Sequence, residues 1–246
     1  MDCMNRLIQV NLSTALLHQK TFLPFKGCHT GREIVVVATG PTLNKYVPLD
    51  NVINIGVNAA FLRAEIIFDY LFAMDYYSVK PFISQMNEYR KGKCVKFYGL
   101  DCEHVPQDKW QCVIPESDAI IAGALRYRAD AAPIEGMKMQ FAYDLSSMPL
   151  GDCYSTVFSA MQFALWTNPK RVYLVGCDTA DTGHFNSGKK VEEMRKDRPI
   201  VSNPYQKILE SWHLFKLFTQ RYYPETEIVS VNPVGLKGLF TDFYQA

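Results

Sequence analysis

The feature that most constrains the fold is a run of β-branched residues that ends in a small, polar turn. Residues 33–38 read Glu-Ile-Val-Val-Val-Ala, and residues 39–43 follow as Thr-Gly-Pro-Thr-Leu. An unbroken apolar run of this length is typical of a strand that is buried on both faces, as in a parallel sheet. The glycine and proline that follow predict a tight turn at the carboxyl end of the strand.

The same pattern, an apolar strand followed by a small or polar residue, recurs along the chain. The predicted strands are 52–57 before Asn58, 70–74 before Asp75, 171–175 before Gly-Cys-Asp at 176–178, and 227–231 before Asn232. Helices with one apolar face are predicted over 5–20, 155–166 and 211–222. Strands that alternate with helices predict an α/β fold with a mostly parallel sheet flanked by helices.

The 246 residues are enough for one large domain, and we predict a single domain over 1–246. Within it, 99–150 is predicted to be an irregular insertion and 181–204 a mobile lid loop. The helix at 5–20 is interpreted as packed on the domain. A membrane-surface anchor is the alternative, although only Arg6 and Lys20 flank its apolar face.

Charge and cysteine content narrow the class of protein. The 26 basic and 25 acidic residues give a net charge of +1, and no basic patch stands out, so no nucleic-acid partner is expected. Seven cysteines, none in a CxxC pair, predict free thiols and no structural zinc. The expected location is the cytoplasm, with peripheral association at the inner face of the cytoplasmic membrane left open. Homo-oligomerisation is also left open.

The polar strand ends predict a ligand site. Because parallel strands end at the same edge of a sheet, five strand ends are expected to meet there and form a nucleotide site, namely 39–42, Asn58, Asp75, 176–178 and Asn232. Gly40 would let a ligand approach the backbone, and Thr42 would offer a hydroxyl beside free N–H groups. The alternative is a simple tight turn with a helix cap. Neither GxGxxG nor GxxxxGK[ST] is present, which disfavours dinucleotide oxidoreductases and P-loop enzymes.

Several segments resemble a known family. Val-Val-Val-Ala-Thr-Gly-Pro-Thr-Leu at 35–43 and Gly-Val-Asn at 56–58 resemble the opening of the bacterial sialyltransferases of glycosyltransferase family 42. Tyr-Ser-Thr at 154–156 and Arg-Val-Tyr-Leu-Val-Gly-Cys-Asp at 171–178 resemble a later helix start and strand of that family. The similarity touches roughly 33–80 and 150–240. Related Kdo (3-deoxy-manno-octulosonic acid) transferases and a pterin pyrophosphokinase-like group share the Gly-Pro-Ser/Thr-Leu opening.

The resemblance implies a Rossmann-like fold, a sialyltransferase-type variant of the GT-A fold. It also implies a transferase that moves sialic acid or Kdo from its cytidine monophosphate (CMP) ester to a glycan acceptor, as in lipopolysaccharide or capsule biosynthesis. Neither a metal nor a cofactor is expected. The implied nucleotide contacts are Thr39, Gly40, Pro41 and Thr42, with Ser155 or Thr156 on the cytidine and Gly176 and Asp178 on the base or ribose. Asn58 would contact the phosphate or the sugar.

Two departures from the family concern catalysis. The stretch that holds the family's catalytic histidine reads Ile-Val-Ser-Asn-Pro-Tyr at 200–205, which contains no histidine. His184 is the candidate base, or a donor to the leaving phosphate, with a merely solvated histidine as the alternative. Asp75 stands where the family has asparagine. It is a candidate nucleophile or base, or it caps the following turn.

Two other functions remain open. A pyrophosphokinase would use ATP and Mg²⁺ and would need a carboxylate cluster, for which Asp75 and Asp178 are available. A non-catalytic nucleotide-binding module would use His184 and Asp75 only as structural residues.

Overall fold

The computed structural model describes residues 16–74, 79–99, 119–122, 124–126, 141–180, 183–185 and 204–245. Its strands are β1 (Glu33–Val37), β2 (Ile53–Val57), β3 (Tyr70–Ala73), β4 (Val95–Gly99), β5 (Ile120–Ala122), β6 (Ala124–Arg126), β7 (Leu150–Asp152), β8 (Arg171–Val175), β9 (Glu227–Val231) and β10 (Thr241–Phe243). Its helices are α1, described over 16–22, α2 (Ile83–Glu88), α3 (Thr156–Trp166) and α4 (Pro204–Tyr222).

The main sheet has eight parallel strands in the order β10-β9-β8-β1-β2-β3-β4-β5, while β6 and β7 form a separate pair. The chain runs outward from β1 to β5 on one side and from β8 to β10 on the other. Val37 of β1 pairs with Gly56 of β2 and with Val175 of β8, so the three strands end at the same level. The strand order therefore reverses between β1 and β8, which is where ligands bind in open parallel sheets.

Both faces of the sheet are covered by apolar side chains. On one face, Ile34 and Val36 pack with residues of α1, α3 and α4 in a core rich in aromatic rings. On the other face, Val35 and Val37 pack with the 3-10 turns Pro41–Lys45 and Asn58–Leu62 and with α2. Alternate residues of β1 thus enter two cores, which confirms the prediction of a strand buried on both faces.

The structure confirms the α/β class with a mostly parallel, helix-flanked sheet, and it corrects several details. The segments after β1 and β2 form 3-10 turns at Pro41–Lys45 and Asn58–Leu62. The insertion predicted as irregular contains β5, which extends the main sheet. α4 begins at Pro204, seven residues before the predicted start at 211. Within the described ranges, no helix has the length and apolar character needed to cross a bilayer.

The N-terminal helix and the predicted lid are described only in part. α1 continues to residue 22, and its His18 and Phe22 are fully buried, so this part of the helix packs on the domain. Of the predicted lid at 181–204, residues 183–185 and Pro204 are described.

Candidate functional site

The carboxyl ends of β1 and β8 remain hydrogen-bonded to each other beyond the last paired residues. Ala38 N–H donates to the carbonyl of Val175 and Gly40 N–H to that of Gly176, both at 2.8 Å. A Cβ atom on Gly40 would lie 2.5 Å from the Gly176 oxygen, so only glycine fits. The neighbouring strand end fills the Cβ direction of Gly40, and the expectation that a ligand approaches this backbone stays a prediction.

Asp178 is bonded to the turn that follows β1. Its carboxylate, 5% exposed, accepts from the backbone N–H of Thr42 at 3.0 Å and from the Thr42 hydroxyl. The carboxylate thereby caps the 3-10 turn that Pro41 begins, where the first amides lack partners within the turn. Thr42 was expected to offer free donors to a phosphate, and Asp178 to accept from ribose hydroxyls. In this structure the two groups satisfy each other, and their expected contacts with a nucleotide stay predictions.

His184 lies against the same turn. One hydrogen bond of 2.8 Å joins its Nδ1 atom to the hydroxyl oxygen of Thr39, which is itself 8% exposed. The next residue, Phe185, donates its N–H to the Thr39 carbonyl at 2.8 Å and accepts from the Asn44 amide at 3.2 Å. These hydrogen bonds hold residues 183–185 against the turn that follows β1. They place His184, the candidate base, at the predicted nucleotide site.

Asn58 directly follows β2, the strand next to β1, and begins a 3-10 turn. Because Val37 pairs with Gly56, Asn58 lies two residues further on, at the level of Thr39. Its backbone has a φ of 49°, a left-handed conformation that asparagine tolerates. Its side-chain oxygen Oδ1 is buried and accepts no hydrogen bond from the part of the chain that the structure describes. A buried acceptor without a donor is costly, so this oxygen would be stabilised by a ligand that offers an N–H or O–H.

Ser155 and Thr156 lie at the start of α3. The Ser155 side chain accepts from the N–H of Val157 at 3.4 Å and so caps the helix, while Thr156 is 7% exposed. α3 packs over β1, β2 and β3 and leads into β8, so its N-terminus points towards the carboxyl edge of the sheet. That end carries amides that lack helical partners and a partial positive charge, which suit an anion.

The space on the β9 side of Asp178 is closed. Between the ends of β8 and β9, side chains including Leu174, Cys177 and Leu236 leave a crevice too small to admit a water molecule. Burial, and then the charge of Asp178, raise the pKa of the Cys177 thiol far above its ordinary value, so this cysteine stays protonated. Any ligand of this edge would therefore lie over β1 and β2 rather than over β9.

The predicted site residues fall into three groups. The structure brings together Thr39, Gly40, Pro41, Thr42, Gly176, Asp178 and His184. Asn58 is on the adjacent strand, and Ser155 and Thr156 are at the start of the helix above it. Asp75 lies outside the described residues.

Sequence reasoning missed Gly235 as part of the site. Its N–H donates to the Asp178 carbonyl at 2.8 Å, and a Cβ atom there would lie 2.5 Å from the Thr179 oxygen. The glycine that follows Asn232-Pro-Val in the sequence was the available signal.

Among the described residues, no group of three or more His, Cys, Asp or Glu side chains could hold a metal ion. The expectation of a metal-independent site stays a prediction. The chain matches no family model, and comparisons with curated proteins and with solved structures gave no match. The likeness of its motifs to glycosyltransferase family 42 likewise stays a prediction.

Proposed function

We propose that this protein is a metal-independent, sialyltransferase-like glycosyltransferase on a Rossmann-like sheet, which moves an acidic sugar from a CMP ester to a glycan acceptor. The observation that carries the proposal is the meeting of the 39–42 turn, the 176–178 segment and His184 where the strand order reverses. This place in an open parallel sheet is where nucleotides bind. The substrate class comes from the motifs that resemble glycosyltransferase family 42, which occur in the same order in this sequence.

The donor would lie over the ends of β1 and β2. Asp178 and Thr42 are occupied by each other, so they act as positioning residues that hold the turn rather than as ligand contacts. The surface left for the donor runs from Thr39 and His184 to Asn58. The buried Asn58 oxygen would accept from a hydroxyl of the sugar, and the N-terminus of α3 would favour the negative phosphate.

His184 would carry the proton transfer. A neutral imidazole takes the proton of the acceptor hydroxyl while its oxygen bonds to the anomeric carbon, and the bond from that carbon to the phosphate oxygen breaks to release CMP. The contact with Thr39 fixes the orientation of the ring. The alternative role, donation to the leaving phosphate, uses the same position. Asp75 remains a candidate nucleophile in a retaining reaction or base in an inverting one.

A non-catalytic nucleotide-binding module is the second candidate function. The hydrogen bond between His184 and Thr39 favours it, because a histidine with a purely structural role would show the same contact. The pyrophosphokinase alternative is less well supported, because Asp178, its one described candidate carboxylate, is committed to Thr42.

Thermal-shift measurements with CMP, CDP, UDP and ATP, each with and without EDTA, test the proposal. We expect stabilisation that is selective for CMP and indifferent to EDTA. Stabilisation by ATP that requires Mg²⁺ would overturn the proposal in favour of a pyrophosphokinase, and no stabilisation by CMP would remove its basis.

The release of CMP from CMP-N-acetylneuraminic acid and CMP-Kdo separates the enzyme from the binding module. We expect His184→Ala to reduce this slow hydrolysis about a hundredfold, the usual size of a general-base contribution, while CMP binding persists. His213→Ala, which changes an exposed histidine on α4, is the matched control and should leave hydrolysis unchanged. Binding of CMP without hydrolysis by the unaltered protein would favour the module.

A further inference from the structure

A groove of about 550 Å³ opens at the edge of the sheet opposite the candidate site. Its walls come from segments that lead into strands, namely 26–27 before β1, 165–168 before β8 and 222–223 before β9, together with 143–144. The volume lies within the range of small-molecule sites. Five-residue strands separate the two edges by about 15 Å, so a ligand of the groove would not touch the candidate site.

The lining of the groove includes a pair of stacked tyrosines. The rings of Tyr143 and Tyr222 are nearly parallel, with centroids 4.9 Å apart and an interplanar angle of 7°. Both are half-exposed, at 50% and 43%. The hydroxyl of Tyr223 donates to the Tyr143 carbonyl at 3.1 Å and fixes the backbone of the first tyrosine. The pair thus forms a rigid aromatic surface that is still open to solvent.

Among the described residues, the rest of the groove lining offers one charge of each sign. Lys26 places its ammonium 4.9 Å from the centroid of the Trp166 ring. Asp144 accepts from the N–H and hydroxyl of Ser146 at 2.9 and 2.5 Å. Burial opposes ionisation of Asp144, but these hydrogen bonds and the charge of Lys26 hold the pKa of its carboxyl below the ordinary value. The carboxylate is therefore charged at neutral pH.

These groups define the chemistry of a ligand. A multiply charged anion would be repelled by Asp144, and a single lysine cannot hold a nucleic-acid strand. A lipid chain would remove Lys26 and Asp144 from water and would offer neither of them a polar partner in exchange. A neutral sugar ring fits both features, because it has an apolar face of C–H bonds and a rim of hydroxyls that both donate and accept.

We propose that this groove binds a neutral sugar residue of a glycan, with the C–H face of the sugar on the outer face of the Tyr143–Tyr222 stack and its hydroxyls on Asp144 and Lys26. Burial of the apolar sugar face against an aromatic ring gives affinity, and the charged pair gives orientation. The site is separate from the donor site, so it does not depend on the proposed transferase activity.

Saturation-transfer NMR and calorimetric titration with glucose, galactose, N-acetylglucosamine and lactose test the site on the full chain. We expect at least one of these sugars to bind, and Tyr222→Ala and Asp144→Asn each to weaken binding about fivefold. Leu217→Ala is the control, because Leu217 is 62% exposed on the same helix and lies outside the groove. It should bind as the unaltered protein does. Two variants on different segments guard against a folding defect in one of them, which thermal denaturation would reveal.

The proposal would be overturned if none of the four sugars bound at sugar concentrations of tens of millimolar. It would also be overturned if a sugar bound and neither Tyr222→Ala nor Asp144→Asn weakened its binding. Adenosine that binds in place of the sugars, with the same dependence on Tyr222, would also overturn it and assign the groove to nucleosides. The CMP thermal shift should be the same in Tyr222→Ala as in the unaltered protein. Loss of sugar binding and loss of CMP binding can therefore be told apart.

Discussion

The carboxylate of Asp178 and the backbone amide of Thr42 lie 3.0 Å apart although 136 positions separate them in the sequence. The contact joins the segment that follows β8 to the turn that follows β1, and the Thr42 hydroxyl adds a second hydrogen bond to the same carboxylate. Because β1 and β8 are adjacent, this pair closes the carboxyl edge of the sheet where the strand order reverses. The shape of the candidate site depends on it.

Replacement of Asp178 should destabilise the fold. Asp178→Ala leaves both Thr42 donors without their acceptor, and hydrogen bonds to a charged group contribute about 1.5–3 kcal/mol each, so we expect a loss of about 3 kcal/mol in the free energy of unfolding. Asp178→Asn keeps one acceptor oxygen and should cost less. Urea denaturation measures both, with Thr42→Ser as a control that keeps the hydroxyl. A loss below about 0.5 kcal/mol in Asp178→Ala would show that the contact does not hold the turn.

Gly40→Ala should disrupt the same edge by steric contact. The new Cβ atom would lie 2.5 Å from the Gly176 oxygen and 2.6 Å from Asp178 Cγ, and moving either group away breaks a hydrogen bond. We expect a destabilisation of about 2–3 kcal/mol, measured by urea denaturation, together with a loss of the CMP thermal shift.

Gly31→Ala provides the comparison for Gly40→Ala. Gly31 has a φ of 75° and open space around it, so alanine there suffers only backbone strain of about 1 kcal/mol. Equal effects of the two substitutions would mean that the close approach at Gly40 is not what constrains that position.

Strands with strong local signals could be predicted from the sequence. β8 and β9 were predicted with the bounds that the structure has, because each is a run of β-branched and aromatic residues between polar ends. β4 was missed because Lys96 interrupts its apolar pattern, although this lysine is fully buried in the fold. β10 was missed because Thr-Asp-Phe carries no strand pattern and pairs only along one edge.

The meeting of the strand ends was also predictable, because it follows from parallel topology alone. The bond between Asp178 and Thr42 was not. It depends on the register that pairs Val37 with Val175, and no local pattern fixes a register between strands so distant in sequence. The tight turn after β1 was predicted from its glycine and proline, but its cap was not, since the cap comes from another segment rather than from a residue in the turn.

The free energy of unfolding should decrease as the pH falls, because His18 is buried in its neutral form. Burial lowers the pKa of His18 from 6.5 to about 4, and its Nδ1–H donates to the carbonyls of Leu145 and Met148 at 3.1 and 3.0 Å. The folded state thus excludes the proton that the unfolded chain takes up. The stabilisation is fully present above pH 6.5 and is lost as the pH falls towards 4, by up to about 3 kcal/mol.

Urea denaturation from pH 7.5 down to the acid limit of folding, in the unaltered protein and in His18→Gln, isolates this contribution. Glutamine keeps an N–H donor but does not titrate, so the difference in stability between the two proteins should shrink as the pH falls below about 6.5. Parallel stability curves would mean that His18 does not contribute to the acid sensitivity.

Replacement of Gln162 by glutamate should destabilise the fold. Gln162 is fully buried in α3, where its Oε1 atom accepts from the N–H groups of Ala142 and Gly151 at 2.7 and 3.0 Å. Its Nε2 atom donates to the carbonyls of Gly151 and Phe158 at 2.9 and 2.8 Å. Three of these bonds join α3 to β7 and to the segment before it, the fourth lies within α3, and together they use both ends of the amide.

Gln162→Glu keeps the size and the acceptor oxygen but sets a second oxygen against two carbonyls. At neutral pH the carboxylate would be buried beside acceptors, so we expect a loss of about 3 kcal/mol or more in urea denaturation. Below the pKa of the new carboxyl, a proton can restore one donor, and the loss relative to the unaltered protein should decrease. Gln162→Leu lacks the polar group at every pH and should show no such recovery. A Gln162→Glu protein as stable as the unaltered one at neutral pH would contradict the assignment of the amide nitrogen as a donor to both carbonyls.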